Sequence, residues 1–396
     1  MKVALVMIAV SDLEGSGGAE RLFSDLYSFM ARRRGAVSVS LITAATSLQK
    51  LRAARHLDAS TDVIALRLGR RPGHGKLRIL WMTLRLLWTT LSRRFDVVQI
   101  CLPSPIYVPF VAVLGWLPRA IAPRTAITVI DCTLASSLET PPPAPTYERQ
   151  VLDAHRMYFR WAGADGIYSW YQAFVEMASR RSLAGPRTLI RAAKYCFTDP
   201  VRFAPARSKE NLVVFAGRLS DQKRPLLFID AVAALRKDEP RLLDGWRFEL
   251  YGKGVLSDAV AARIAHHGLG DVMTLSHAVD MAPILSRSRL FVSTQAIENF
   301  TSLAMLEAMA AGNAVIAEDV GQTGEFVRAG VNGYLVHPAD ARSFAQAIAA
   351  YLRNVGGHDA MAKASRALVT EVHTVEHFAD DITRFWQDLL PAAPTT

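Results

Sequence analysis

Cysteine is scarce: Cys101, Cys132 and Cys196 are the only three in 396 residues. They lie far apart and show no metal-ligand spacing. An odd, sparse set excludes a disulfide framework and fits a reducing, cytoplasmic compartment. Long apolar runs are also missing. No stretch of about 18 uncharged apolar residues occurs, the length a spanning helix requires. The nearest case, Ile100 to Leu117, is interrupted by Pro103, Pro105 and Pro109, which a single helix does not tolerate. Val3–Val10 is too short for a span, and no small-residue cleavage site follows it, so it reads as a buried strand rather than a secretory signal. No Asp-x-Asp metal motif is present. No zinc-finger, basic-zipper or RNA-binding signature is present either, which ranks nucleic acid last among partners.

Negative charge is in short supply in the first half only. Residues 1–195 hold 26 Lys and Arg against 13 Asp and Glu, and residues 196–396 hold 20 against 23. The whole positive excess therefore sits in the N-terminal half. That asymmetry implies an anionic partner for it: a membrane surface, a phosphorylated lipid or an acidic glycan.

About half of the residues are apolar (51%), enough to bury two cores at this length. Short apolar runs alternate with helical patterns. Val3–Val10, Val37–Leu41, Asp62–Leu66, Val97–Leu102 and Ala126–Ile130 read as buried strands. The pattern restarts with Leu212–Ala216, Arg247–Tyr251, Val272–Leu275, Leu290–Ser293 and Ala314–Ala317. Such alternation predicts parallel, doubly wound sheets. Two of them predict two Rossmann-like α/β domains, 1–195 and 200–374, separated near Cys196–Pro200. The terminal helical stretch within 375–396 is expected to pack back on the first domain.

One helical segment is unusual. Leu77, Leu80, Trp81, Leu84, Trp88 and Leu91 recur at helical spacing, Arg78, Arg85 and Ser92 form a narrow polar stripe, and Lys76, Arg93 and Arg94 flank the ends. An interfacial helix at the inner face of a membrane has this composition. A helix packed on the sheet is the alternative. It is favoured by Ile79, Met82, Leu86 and Leu87, which make the segment apolar on nearly every side.

Four segments could carry chemistry. Gly15-Ser16-Gly17-Gly18-Ala19-Glu20-Arg21 follows the first strand and opens a helix, where free N–H groups suit a phosphate. It lacks the Gly-x-Gly-x-x-Gly dinucleotide fingerprint, because Glu20 stands where the third glycine belongs. Gly217-Arg218 and Ser220-Asp221-Gln222-Lys223 follow the first strand of the second half, at the sheet edge where open α/β sheets bind ligands. Arg218 offers a planar fork of donors and Lys223 a movable point charge, a pair suited to one diphosphate. Glu298-Asn299-Phe300-Thr301-Ser302-Leu303 leads into a helix that Ser302 could cap. Glu307 lies on that otherwise apolar helix and needs a partner, either ribose hydroxyls or an internal cation. Asp131 ends the strand Ala126–Ile130. It could face a ligand or cap a nearby loop.

Taken in order, these pieces resemble the family-4 glycosyltransferases, a retaining group with the GT-B fold. The resemblance rests on Gly17 to Arg21, on Ala164-Asp165-Gly166-Ile167, and on Gly217, Arg218 and Lys223. It continues through Gly252-Lys253-Gly254, Leu306 to Gly312, Ala314–Ala317 and Gly330–Val336. It implies two Rossmann-like doubly wound domains facing a central cleft. The expected reaction is transfer of a sugar from a nucleotide-diphosphate sugar to a hydroxyl of a glycan or lipid-linked acceptor, in cell-surface polysaccharide or glycolipid biosynthesis. No metal and no cofactor beyond the donor substrate are expected.

By the same resemblance Arg218 and Lys223 hold the diphosphate, Glu307 the ribose, and Glu298 the transferred sugar. Gly17, Gly18, Gly217, Gly252 and Gly254 approach the donor, and Asn299, Thr301, Ser302 and Leu303 line the turn that receives it. Two departures stand out. Glu298 and Glu307 are nine apart where the family has eight, which puts Asn299 at the strict spacing and leaves the sugar contact open between Glu298 and Asn299. Ile130 stands where the family often has a histidine, so Asp131 has a different neighbour. A nucleotide-sugar epimerase, a phosphorylase or a non-catalytic sugar-nucleotide-binding subunit could share the same fold.

Overall fold

The computed structural model describes residues 1–8, 18–33, 35–53, 57, 63–67, 76–130, 141, 147–180, 183–278, 280–297 and 302–391. The chain forms two compact units. One comprises Met1–Lys194 with Val375–Thr396, the other Tyr195–Thr374.

The first unit holds seven strands: β1 (Lys2–Val6), β2 (Ser38–Ala44), β3 (Val63–Leu66), β4 (Val97–Ile100), β5 (Arg124–Val129), β6 (Gly166–Ser169) and β7 (Leu189–Ala192). All pair in parallel, in the order β3-β2-β1-β4-β5-β6-β7. Helices connect them: α1 (Gly18–Arg32), α2 (Ala45–Ala53), α3 (Lys76–Ser92), α4 (Val108–Trp116), α5 (Tyr147–Arg156) and α6 (Gln172–Arg180). The central strands are buried on both faces and read as continuous apolar runs, as parallel sheets require.

The second unit holds a parallel sheet of six, β8 (Leu212–Ala216), β9 (Arg247–Tyr251), β10 (Met273–Ser276), β11 (Leu290–Ser293), β12 (Ala314–Glu318) and β13 (Gly333–Val336). Their order is β10-β9-β8-β11-β12-β13. The connecting helices are α7 (Pro225–Asp238), α8 (Ser257–His266), α9 (Ala282–Arg287), α10 (Leu303–Ala310), α11 (Thr323–Phe326), α12 (Ala341–Arg353) and α13 (His358–Ala367). Phe215, Phe228, Phe248, Ile348 and Tyr351 belong to one apolar cluster between β8, β9, α7 and α12.

The last helix, α14 (Val375–Asp388), belongs to the first unit. Polar pairs fix it there: Trp386 Nε1 donates to Gln99 Oε1 at 2.9 Å, and Tyr168 Oη donates to buried Asp381 at 2.7 Å. Burial and the Asp381 carboxylate push the Tyr168 hydroxyl pKa well up. Gly166 is small because a Cβ there would meet Phe385 Cζ at 2.7 Å. The Ala164–Ile167 segment thus has a packing role. Its Asp165 accepts from Thr125 N at 2.9 Å and pairs with Arg119 and Arg124, tying β5 to β6.

Three strands, β6, β7 and β13, were absent from the apolar-run reading. Gly166 and Ser169 leave two apolar residues between them in β6, Arg191 interrupts β7, and Gly333 opens β13, so the apolar signal is broken in each. The first strand is shorter than the run Val3–Val10: the ladder stops at Val6, although Met7 and Ile8 remain buried. Cys101 and Cys196 are both buried, and the Cys196 sulfur lies 3.8 Å from His373 Nδ1. Cys132 lies outside the described residues.

The helix α3 does not bury itself on every side. Met82, Thr83, Leu86 and Thr90 are buried, whereas Leu77, Leu80, Trp81, Leu84 and Trp88 are exposed. The helix therefore packs inward through one narrow face, and the opposite face remains apolar and open.

Candidate functional site

In both sheets the strand order reverses once, between β1 and β4 in the first and between β8 and β11 in the second. Loops leaving the carboxyl ends of the strands on either side of such a reversal diverge and leave a crevice. In the second sheet those loops are 217–224, after β8, and 294–297, the described residues after β11.

The first loop is built by a turn. Lys223 N and Arg224 N both donate to Ser220 O, at 3.0 and 3.1 Å. Arg224 then adopts a left-handed conformation (φ 45°) and Pro225 starts α7. Pro at the first helical position costs nothing, since its missing N–H would have no partner there. The strained Arg224 is held on three sides. Its Nε donates to Thr294 O at 2.7 Å, its guanidinium pairs with Glu318 at the end of β12, and Thr294 Oγ1 donates to Arg224 O at 2.8 Å. The two loops are also joined by Ala296 N donating to Gln222 O at 3.1 Å.

Within this frame Lys223 turns back over the loop. Its stem lies 3.8 Å from where a Cβ would stand on Gly217. Its Nζ donates to Oε1 of Gln295, a buried residue on the opposite side of the strand reversal. The Gln295 amide is fixed in turn by donating to Ile297 O at 3.0 Å. A half-buried ammonium is thereby held beside the strand reversal, bonded to the neutral side-chain carbonyl of Gln295. Arg218, next to Gly217, is exposed. A held ammonium near an exposed guanidinium has the chemistry to receive polyanionic oxygen.

Gly252 and Gly254 serve this loop. A Cβ on Gly252 would stand inside contact distance of Gly217 O, and one on Gly254 inside contact distance of Leu219 O. Leu219 N donates to Lys253 O and Leu256 N to Leu219 O, at 3.0 and 3.1 Å. The two glycines let the loop after β9 pack its backbone directly on the loop that carries Arg218.

Ser302 occupies the cap position of α10, but its side chain makes no capping hydrogen bond; only its carbonyl is used, accepting from Leu306 N at 3.0 Å. The expected hydroxyl cap is therefore corrected. Leu303 is the first residue of α10, and Glu307 lies on it, buried at 6% exposure. Gly18 is the first residue of α1, in the other unit. Gly17, Asp131, Glu298, Asn299 and Thr301 lie outside the described residues. Gln295, Thr294 and Glu318 were missed by the sequence reading. The one local signal was a polar Thr-Gln directly after the apolar strand Leu290–Ser293.

Comparison with known proteins addresses the same half of the chain. Residues 210–354 match the family model described as Glycosyl transferases group 1. Over its full length the chain is similar to Anabaena Alr3699/HepE crystallised with UDP and glucose, with 16% identity, coverage of 98% of this chain and 99% of that one, and a TM-score of 0.71. The fold is GT-B. Sequence relatives cover less. A D-inositol 3-phosphate glycosyltransferase of Paenarthrobacter aurescens is 34% identical over 138 residues, 32% of this chain and 33% of that protein. The Campylobacter jejuni GalNAc-alpha-(1->4)-GalNAc-alpha-(1->3)-diNAcBac-PP-undecaprenol alpha-1,4-N-acetyl-D-galactosaminyltransferase is 34% identical over 73 residues, 18% of this chain and 20% of that enzyme. The matched segments thus span between a fifth and a third of these relatives' own lengths. Within the GT-B fold, the matched region contains the whole loop system around Arg218, Lys223 and Gln295 and all of α10.

Proposed function

We propose that the protein is a retaining glycosyltransferase. It moves a sugar from a nucleotide-diphosphate sugar to a hydroxyl of a glycan or lipid-linked acceptor in cell-surface polysaccharide or glycolipid assembly, without a metal ion. The observation that carries the reading is the cationic pair at the strand reversal of the second sheet, with Lys223 held by Gln295 beside exposed Arg218. The glycosyltransferase match over residues 210–354 supports it, as do the undecaprenol-linked acceptor named for the Campylobacter relative and the UDP and glucose in the Anabaena structure.

In this reading the second unit holds the donor and the first receives the acceptor. The bond from the anomeric carbon to the diphosphate oxygen breaks, and its electron pair leaves with the nucleoside diphosphate. Arg218 and Lys223 stabilise the charge that gathers there, the task a divalent ion performs elsewhere. The acceptor oxygen bonds to the anomeric carbon from the same face, and its proton passes to a departing phosphate oxygen. Glu307 accepts from ribose hydroxyls, and Glu298 or Asn299 contacts the transferred sugar.

A thermal-shift screen of nucleotide sugars, followed by transfer assays on the hits with product stereochemistry read by NMR, tests the proposal. Stabilisation by a nucleotide sugar and a product of unchanged anomeric configuration are expected. Stabilisation by none of them would remove the donor assignment, and an inverted product would remove retention.

A further inference from the structure

The exposed large apolar side chains described in unit 1 fall within residues 77–121. Among the described residues, the exposed ones are Leu77, Leu80, Trp81, Leu84 and Trp88 on α3, Trp116 at the end of α4, and Ile121 just beyond. Trp88 and Trp116 are 75% and 81% exposed. The exposed large apolar residues of unit 2 are all valines scattered along the chain. Scattered residues need no explanation, whereas a contiguous face does.

The α3 residues form a single stripe opposite the buried face of Met82, Thr83, Leu86 and Thr90. α3 and α4 pack against each other. Both connect parallel strands and so run antiparallel to them, which brings Trp88 and Trp116 toward the same end of the sheet. Tryptophan suits a boundary that is apolar on one side and wet on the other.

The charge along this stretch is mostly of one sign. Residues 76–122 contain six Lys and Arg and one acidic residue, Asp96, with Arg119 paired to Asp165. Asp96 is occupied by the backbone of β1, accepting from Lys2 N at 2.7 Å. Lys76 begins α3, and Arg93 and Arg94 follow its end, all exposed. Arg94 holds a left-handed backbone (φ 52°) that a glycine would adopt with less strain. The Arg85 guanidinium sits 5.2 Å from the ring centre of Trp81, placing a cation at the edge of the apolar stripe.

We infer that α3 and the end of α4 form a docking face for an anionic lipid bilayer. α3 lies in the headgroup region with its Trp and Leu side chains in the acyl boundary and its basic residues on lipid phosphates. The helix lies on the bilayer and does not cross it: among the described residues no helix is long and apolar enough to span. A second copy of the chain fits the face poorly, because a symmetric contact would set these same-sign rims against each other. The inference stands on unit 1 and is independent of the sugar-transfer reading.

The test is sedimentation of the full chain with phosphatidylcholine vesicles, with and without phosphatidylglycerol. Tryptophan emission is recorded alongside, and size-exclusion chromatography without lipid. Co-sedimentation with the anionic vesicles only, a blue shift on binding and release by high salt are expected. Replacing Trp81, Trp88 and Trp116 by serine should abolish the shift and the binding. A second variant, Lys76→Glu with Arg93→Glu and Arg94→Glu, keeps the apolar face and should lower partitioning by about 100-fold or more. Recovery of the wild-type chain in the supernatant with anionic vesicles overturns the inference. So does wild-type binding by either variant with an unchanged circular-dichroism spectrum. A concentration-dependent dimer that the serine variant abolishes, without vesicle binding by the wild type, assigns the face to a second copy instead.

Discussion

Lys223 and Gln295 are 72 residues apart in sequence and hydrogen-bonded in space, one on each side of the strand reversal in the second sheet. Gln295 contributes no charge of its own to this contact. If Lys223 stabilises a leaving diphosphate, Lys223→Met should lower kcat by about 100- to 1000-fold. Gln295→Leu should cost less, because the ammonium survives but loses its anchor. Steady-state kinetics with circular dichroism on both variants checks this. A Lys223→Met enzyme with unchanged kcat would exclude the lysine from the chemistry.

Arg218 makes the complementary case. It is exposed, and removing it should leave the fold intact. Arg218→Ala should reduce turnover by several orders of magnitude, at roughly one order per 1.4 kcal/mol of lost transition-state stabilisation. Arg218→Lys should recover only part of the loss, since an ammonium lacks the planar fork. Comparing kcat/KM for the two variants separates charge from geometry.

Gly252 and Gly254 allow two loop backbones to touch. Gly252→Ala or Gly254→Ala forces the loop that carries Arg218 to move, and overpacking of this kind costs about 1–3 kcal/mol. Each variant should show a lowered Tm and weaker nucleotide-sugar binding together. A variant with wild-type Tm would show that the loops part at no cost.

Glu307 is buried on an apolar helix. If its carboxylate accepts from ribose hydroxyls in substrate and transition state alike, Glu307→Gln should raise the donor KM and change kcat little. A 2′-deoxy donor should then discriminate poorly between the variant and the parent enzyme. Strong discrimination by the variant would place the ribose elsewhere.

Lys209 gives a pH signature unrelated to the site. It donates to Ala311 O at 2.7 Å and to Ser288 O. Burial and then the neighbouring Arg289 lower its pKa from 10.5 to about 7. Between those two values the unfolded chain binds the proton and the folded chain does not. By linkage the unfolding free energy therefore rises with pH across that window, and the gain is lost as pH falls toward 7. Denaturant melts of the parent protein and of Lys209→Met should diverge across the window, the parent gaining stability with pH relative to the variant. Parallel curves would show that Lys209 stays protonated in the fold.

What the sequence by itself determined was the alternation of elements. The runs Leu212–Ala216 and Leu290–Ser293 coincide with β8 and β11, which are buried on both faces and therefore mostly apolar, and Arg247–Tyr251 coincides with β9, where buried Phe248 and Leu250 alternate with more exposed residues. The same logic failed on β6, β7 and β13, where Gly166, Ser169, Arg191 and Gly333 break the apolar run. Tertiary structure alone decided which polar groups meet. No spacing rule links Lys223 to Gln295, or Arg224 to Glu318, since each pair becomes adjacent only when separate parallel strands end side by side. It also decided the outward face of α3. A helix apolar on nearly every side carries no mark of which side the sheet covers, and only packing left Trp81 and Trp88 in the open.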